Sequence, residues 1–401
     1  MTTVDRDTTS AEYAPPAEAR LAYVNQVVVS YSFYLVGAVT AFVAAALALT
    51  DSQAGLHSSA MAVGIGVAGL FGDRFDHWFG QRAMKFTGMG LLAVALILVA
   101  WAPALVVTMV GAGSVGLGAG LSFGHVTQTL GAGGGTRARL QLTRAALVAK
   151  VSQLFVPLVI AAGIAIGVGW QLVIVPVLVF VGFLFVSLLR RPRRSLGASA
   201  VFHRLPRAYW LPWTLVVMVV AIEFAVIFWG STLVDQQTGV SLADATLAIS
   251  VFIAGLIMGR AALSIPALGR FDPILVIRAG IVLTIAAVML PWLTTSYEIS
   301  AVGLLIAGLG IGVLYPLAAS IALGAAPDHP AAASARLVFA AGLAILVAPL
   351  LLGVIADLRG ITAGWLLVPG LGFGALLLSV QVAKAHTRRQ ALPATPAPPA
   401  S

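Results

Sequence analysis

Twelve separate stretches of this chain are apolar for about the 20 residues that a helix needs to cross a bilayer. They lie near 22–49, 55–72, 86–102, 104–130, 145–167, 170–189, 211–233, 243–263, 274–293, 300–324, 337–357 and 361–383. Charged residues make up only 9% of the 401, against about 25% in soluble domains. That is too little charge to cover a water-facing surface, so lipid is the solvent for most of the chain. The expected fold is an all-α membrane protein of twelve transmembrane helices.

The net charge is +9. The basic residues are spread between apolar runs rather than gathered on one face, which argues against nucleic acid as a partner. There is no cysteine, hence no disulfide framework and no cysteine-based zinc site. Residues 1–20 are polar, carry Asp5, Asp7, Glu12 and Glu18, and lack the pattern of a cleaved secretory signal. They are expected to form a cytoplasmic tail. The Pro- and Ala-rich residues 386–401 are expected to be a second, disordered one.

The basic residues set the orientation. With the N-terminus in the cytoplasm, every Lys and Arg falls on the inner side except Arg359, which lies outside, and Lys150, which falls within a span. This supports an even number of spans in the cytoplasmic membrane, with both termini inside. The long polar stretch around 191–210 opens with Arg191, Arg193 and Arg194 after Arg190. It separates a six-helix half, 21–190, from a second, 211–385. The run reads as a positive-inside anchor in preference to a nucleic-acid or anionic-lipid site.

The halves repeat. Gly116-Leu117-Gly118-Ala119-Gly120 in the fourth span matches Gly308-Leu309-Gly310-Ile311-Gly312 in the tenth. In the same register Arg144 matches Arg336 and Pro157 matches Pro349. Parallel six-helix repeats are a transporter architecture, with the site near the midplane between halves.

On these features the helical body, about residues 20–385, resembles the major facilitator superfamily. The loop motif of that family after its second helix is similar to Gly72-Asp73-Arg74-Phe75-Asp76-His77-Trp78-Phe79-Gly80-Gln81-Arg82, with a stretched interval between glycines. Its equivalent after the eighth span is the degenerate Gly259-Arg260 … Gly269-Arg270. Ala348-Pro349-Leu350-Leu351-Leu352-Gly353 and Gly310-Ile311-Gly312-Val313-Leu314-Tyr315-Pro316 look like the family as well. Two departures point away from its drug/proton antiporters. Ala112 stands where many of them carry Arg, and Pro157 is flanked by Val156 and Leu158 rather than glycines. The fourth and tenth spans are similar to the fucose-permease-like branch. The resemblance implies a cytoplasmic gate at Asp73 and Arg74, and that the first, fourth, seventh and tenth helices line the cavity. Arg144 and Arg336, at matching cytoplasmic helix starts, read as gate or anchor residues.

A charge within a span costs about 2.5–3.5 kcal/mol on insertion scales and so needs a reason. Glu223, near the middle of the seventh span, is a candidate proton-coupling carboxyl; the alternative is a structural, paired one. Lys150, six residues inside the fifth span, is a candidate anchor for an anionic substrate, with Gln153 and Thr143 on its face; the alternative is that it snorkels to the headgroups. A Lys150–Glu223 salt bridge is compatible with the sequence but does not follow from it. His125 shares a face of the fourth span with Ser122, Gln128 and Thr129, and imidazole changes charge near neutral pH. It is a second coupling candidate, or else a structural histidine. Tyr31 and Tyr34 in the first span and Tyr315 in the tenth could contact substrate or simply pack. Trp229 reads as an outer-interface belt residue.

Other chemistry is not supported. Gly111-Ala112-Gly113-Ser114-Val115-Gly116 has the glycine spacing of a dinucleotide loop but lies inside a span and follows no strand. There is no phosphate-binding Gly-Lys-Ser/Thr loop, no His-Glu-x-x-His, and no clustered set of catalytic side chains. The chain is therefore expected to be a secondary transporter of a small, partly apolar organic solute, working by alternating access with proton coupling. It is expected to be monomeric, without a cofactor or metal, and not an enzyme. An uncoupled facilitator and a non-transporting receptor or scaffold are the alternatives.

Overall fold

The computed structural model describes residues 16–101, 104–131, 135–189, 204–263, 265, 270–326 and 329–390. Twelve of its helices are long and apolar enough to cross a membrane. In chain order the elements are α1 (Pro16–Leu47), α2 (Asp51–Phe79), α3 (Gln81–Trp101), α4 (Leu105–Gly131), α5 (Gly135–Ala165), a 3₁₀ turn (Trp170–Ile174) leading into α6 (Val175–Leu189), and then α7 (Arg207–Thr238) and α8 (Leu242–Ala262). The ninth span is α9 (Pro273–Val288) with a short α10 (Leu290–Leu293). The tenth and eleventh are α11 (Tyr297–Gly324) and α12 (Pro330–Arg359), and the last is α13 (Ile361–Trp365) with α14 (Leu367–Gln390).

Local chemistry sets several ends. Ser241 and Ser296 cap α8 and α11 by accepting from Asp244 N and Ile299 N, and Asp272 caps α9 by accepting from Ile274 N. Gly239 ends α7 in the left-handed region at φ 69°, which glycine adopts without strain. Several helices outrun their apolar stretches, because a helix continues past the bilayer wherever caps and propensity allow. The residues read as a loop after the second span belong instead to α2, which ends at Phe79 before the turn at Gly80. Asp73 and Arg74 are thus helical. Arg260, read with a loop after the eighth span, lies within α8. The 190–203 stretch and the 391–401 tail fall outside the described residues.

The two six-helix bundles are built alike at the level of backbone contact. Gly116 of α4 lies so close to α2 that a Cβ there would run into the carbonyl oxygen of Met61. Gly308 of α11 meets the carbonyl of Phe252 in α8 in the same way. The glycine repeat seen in the sequence is therefore a close helix contact made twice, as small residues permit in membranes. The register that pairs Met61 with Phe252 also aligns α1 with α7 from end to end. It sets Ser32 opposite Glu223 and Gly69 opposite Arg260. In the register of Arg144 and Arg336, Lys150 stands opposite Gly342. These three charges therefore have no counterpart in the other half.

Twelve spans bring both described ends of the chain to one face of the bundle, here the termini face; the opposite one is the far face. Towards the far face the halves meet closely. The carboxylate of Asp357 in α12 accepts from the backbone N–H groups of Asp51 (2.6 Å) and Ser52 (2.9 Å), at the start of α2. A Cβ on Gly55 would lie 2.9 Å from Leu350 Cα, and one on Gly353 would lie 2.5 Å from the Asp51 carbonyl oxygen. Ser59 Oγ donates to Leu346 O (2.8 Å). Midway along α1 and α7, beside Glu223, Phe33 and Phe224 meet edge to face, with ring centroids 5.5 Å apart. Trp229, expected at the outer interface, is buried, and its Nε1 donates to Pro349 O (2.8 Å). Its polar tip thus ties α7 to α12 rather than reaching headgroups.

Candidate functional site

Lys150 and Glu223 stand midway along α5 and α7, one from each half. Their side chains meet, with Nζ donating to Oε1 at 2.5 Å. Both residues are nearly closed off, with exposures of 8% and 4%. Lys150 therefore does not snorkel. Its helix begins at Gly135, well before the apolar stretch, so the lysine lies deeper in the fold than the edge of that stretch suggests.

A third charge belongs to the same group. Arg260 is close enough to act electrostatically on both Lys150 and Glu223. α7 and α8 are joined by the tight turn at Gly239 on the far face. Counting along the two helices from that turn, Arg260 lies nearer the termini face than Glu223. Tyr315 of α11 is within the field of Arg260 and Glu223, and Tyr34 of α1 within that of Glu223. Several polar atoms here are buried without a hydrogen-bond partner among the described residues: Tyr34 Oη, Gln153 Oε1 and Arg260 Nε. Gln153 lies one turn along α5 from Lys150. An unmet buried polar atom costs about 1–3 kcal/mol, so their gathering around one ion pair marks a place where solvent or a ligand belongs.

The other candidate residues go elsewhere. Ser122 and His125 do share a face of α4, but that face is turned to α3. A Cβ on Gly88 would lie 2.8 Å from Ser122 Oγ, and the charge that acts on His125 is that of Lys85. Helical spacing groups residues on a face without saying which neighbour the face meets. Ser122 packs against α3, and its carbonyl also accepts from Asn25 Nδ2 (3.4 Å). Tyr31 Oη donates to Val173 O (3.1 Å), in the turn before α6, which places it in packing within its own half. The side chains of Gln128 and Asp73 fall outside the described residues. Of the remaining gate candidates, Arg74 is exposed, with its guanidinium 5.6 Å from the ring centre of Phe71 one turn back. Arg144 is exposed as well, and Arg336 is half-buried, its carbonyl accepting from Trp213 Nε1 (2.7 Å).

Arg260 is the functional candidate that sequence reasoning missed. A basic residue near a span's cytoplasmic end reads as an orientation signal, and its neighbour Gly259 fits a loop motif. The repeat holds the missing clue: opposite it stands Gly69, so symmetry does not require a cation there. Among the described residues no group of three His, Asp or Glu gathers to hold a metal.

Residues 22–335 match the Major Facilitator Superfamily, and the chain belongs to that family. No curated protein matches it by sequence. Solved structures share its fold at low identity. One is a bacterial homologue of the human lysosomal transporter Spinster in an inward-facing, occupied conformation. It is 13% identical with a TM-score of 0.73, and the match covers 95% of this chain and 100% of that one. The nucleoside transporter NupG is 13% identical at TM-score 0.70, over 91% of this chain and 99% of its own. A proton-dependent oligopeptide transporter is 15% identical at TM-score 0.70, over 94% and 100%. The chain is thus a multi-pass membrane protein of a transporter family.

Proposed function

We propose that this protein is a secondary active transporter. It moves a small, partly apolar organic solute across the cytoplasmic membrane by alternating access, coupled to protons, with both termini inside. The observation that carries this reading is the Lys150–Glu223 ion pair, buried between the two halves. Alternating access requires the halves to rock about a central site. Two opposite charges in a low-dielectric interior resist separation, because each would be left without compensation. A proton taken up by Glu223 removes the attraction and lets the halves part, and its release lets the pair form again. Tyr34 and Gln153, with unmet polar atoms near the pair, and Tyr315 supply contacts for the solute, and the Phe33–Phe224 contact supplies an apolar wall. The match to transporter folds supports the class, and the distribution of basic residues supports the orientation.

The test is solute-evoked proton movement. Purified protein is reconstituted in liposomes holding a pH dye, pooled metabolites are added outside, and wild type is compared with Glu223→Gln, each checked for monodispersity. A pH change in wild type that is lost in the variant is expected, and its sign distinguishes symport from antiport. Labelled-solute flux in wild type without any pH change would make the protein a facilitator and Glu223 a structural residue.

A further inference from the structure

The charges around the central pair do not balance: Lys150 and Glu223 are buried, and Arg260, towards the termini face, is half-buried. Lys150 and Arg260 are both cationic and Glu223 alone is anionic, and the charges that act on the pair are each other's and that of Arg260. The group carries one positive charge more than it balances, and the Nε of the half-buried Arg260 is shut off from solvent without an acceptor among the described residues, an arrangement that favours an added anion. Helix packing does not demand it, because the repeat fills the matching positions with Ser32, Gly69 and Gly342.

From this imbalance we infer that the site takes an organic anion with a single carboxylate, bound by Arg260 and drawn to Lys150, with Glu223 standing in for that carboxylate when the site is unliganded. The inference rests on the transport reading above and names its substrate class. Its geometry is specific. Arg260 lies on the termini side of the ion pair, and the described cross-half contacts at Asp357, Gly55, Gly353 and Ser59 lie towards the far face. A solute entering from the termini face meets Arg260 before Lys150. The guanidinium has a buried Nε without a partner among the described residues, and a planar fork suits a carboxylate. A carboxylate there makes the group of four charges neutral. It also competes with Glu223 for Lys150, which frees Glu223 to accept a proton. Tyr34 Oη and Gln153 Oε1 have hydrogen-bonding capacity to spare for the solute's other polar atoms.

The experiment is binding to the purified full chain in detergent, read as a thermal shift and by titration. The probes are propionate, hexanoate, benzoate and phenylacetate, each beside its uncharged amide, with chloride as a further control. At least one carboxylate is expected to stabilise the wild type while its amide does not. Arg260→Gln should weaken that carboxylate at least tenfold, and Arg260→Lys should restore part of the loss. Both variants must elute as wild type. Binding of amides as tight as that of the acids, stabilisation by chloride equal to that by the carboxylates, no binding of any acid, or unchanged affinity in Arg260→Gln would each overturn the inference. The two readings fail separately. Carboxylate binding without proton movement in liposomes removes the coupling and keeps the anion site. Proton movement driven by a neutral solute and kept in Arg260→Gln keeps the transporter and removes the anion site.

Discussion

The two halves are joined in two different ways, at the far face and at the centre. At the far face the joint is made of backbone and small residues: glycines at Gly55 and Gly353 that let α2 and α12 touch, and a carboxylate that caps the start of α2. At the centre it is made of long charged side chains, Lys150 from one half and Glu223 from the other. The joints differ in what they cost to open. When the far face parts, the freed N–H groups and the Asp357 carboxylate are exposed and pass to water, so packing is lost there but no charge is left uncompensated. When the central pair parts, two ions lose compensation in an interior that cannot solvate them. A bundle built this way opens at one place against packing alone and at the other only with a substitute partner for each charge.

The largest effect is expected at the central pair. Glu223→Gln leaves Lys150 buried and uncompensated, and removing one member of such a pair costs about 3–5 kcal/mol. Lys150→Met leaves Glu223 in the same position. Combining Lys150→Met with Glu223→Leu removes both charges, and the double variant is expected to recover most of the stability lost by either single one. Thermal unfolding in detergent, read as a double-mutant cycle, checks this. Additive losses in the double variant would mean that the two charges do not depend on each other. If the proposed function holds, the double variant should be stable and yet inactive in the liposome assay; retained proton-coupled flux would make the pair structural alone.

Much of this architecture was legible before the structure, and the reasons differ by residue. The spans follow from hydropathy, because the cost of burying a backbone in lipid leaves helices as the open option. Gly116 and Gly308 were visible as a repeat, and the structure gives that repeat its meaning as one close helix crossing made twice. Lys150 and Glu223 each stood out as a charge in an apolar span. Their meeting did not, since helical periodicity orders residues around one axis and says nothing about which helix lies opposite. The same limit applies to Ser122 and His125, whose shared face was legible while its neighbour, α3, was not. Arg260 was hidden by its place near a span end, where a cation has an ordinary explanation. Comparing the halves position by position for charge, rather than for likeness, would have singled it out through Gly69.

A smaller effect is expected at the far face. Gly353→Val puts branched carbon where the Asp51 carbonyl oxygen lies 2.5 Å from the position of a Cβ, with Trp229 at 2.9 Å on the other side. Backbone cannot yield as a side-chain end does, so α12 must move away from α2; overpacking of this kind costs about 1–3 kcal/mol. The chain has no cysteine, so a single Ser59→Cys reports on this joint without background. Labelling of Ser59→Cys by a membrane-impermeant maleimide from the far face is expected to be several-fold faster with Gly353→Val. Unchanged labelling would mean that the close approach at Gly353 does not hold the far face together.

The smallest effect belongs to Asp357. Asp357→Ala deprives the N–H groups of Asp51 and Ser52 of their carboxylate acceptor. Those groups are exposed, so water replaces the carboxylate and folding stability should hardly change. What is lost is a link that exists only while the halves are together at this face. A capping carboxylate at a helix N-terminus is favoured by the helix dipole and weakened by salt, so it biases the closed far face modestly. Maleimide labelling of Ser59→Cys should rise less with Asp357→Ala than with Gly353→Val. The effect of Asp357→Ala on labelling should shrink as salt is raised, while that of Gly353→Val, which is steric, should not. A salt-independent effect of Asp357→Ala would show that the side chain acts by filling space, and the far face would then be a purely steric joint.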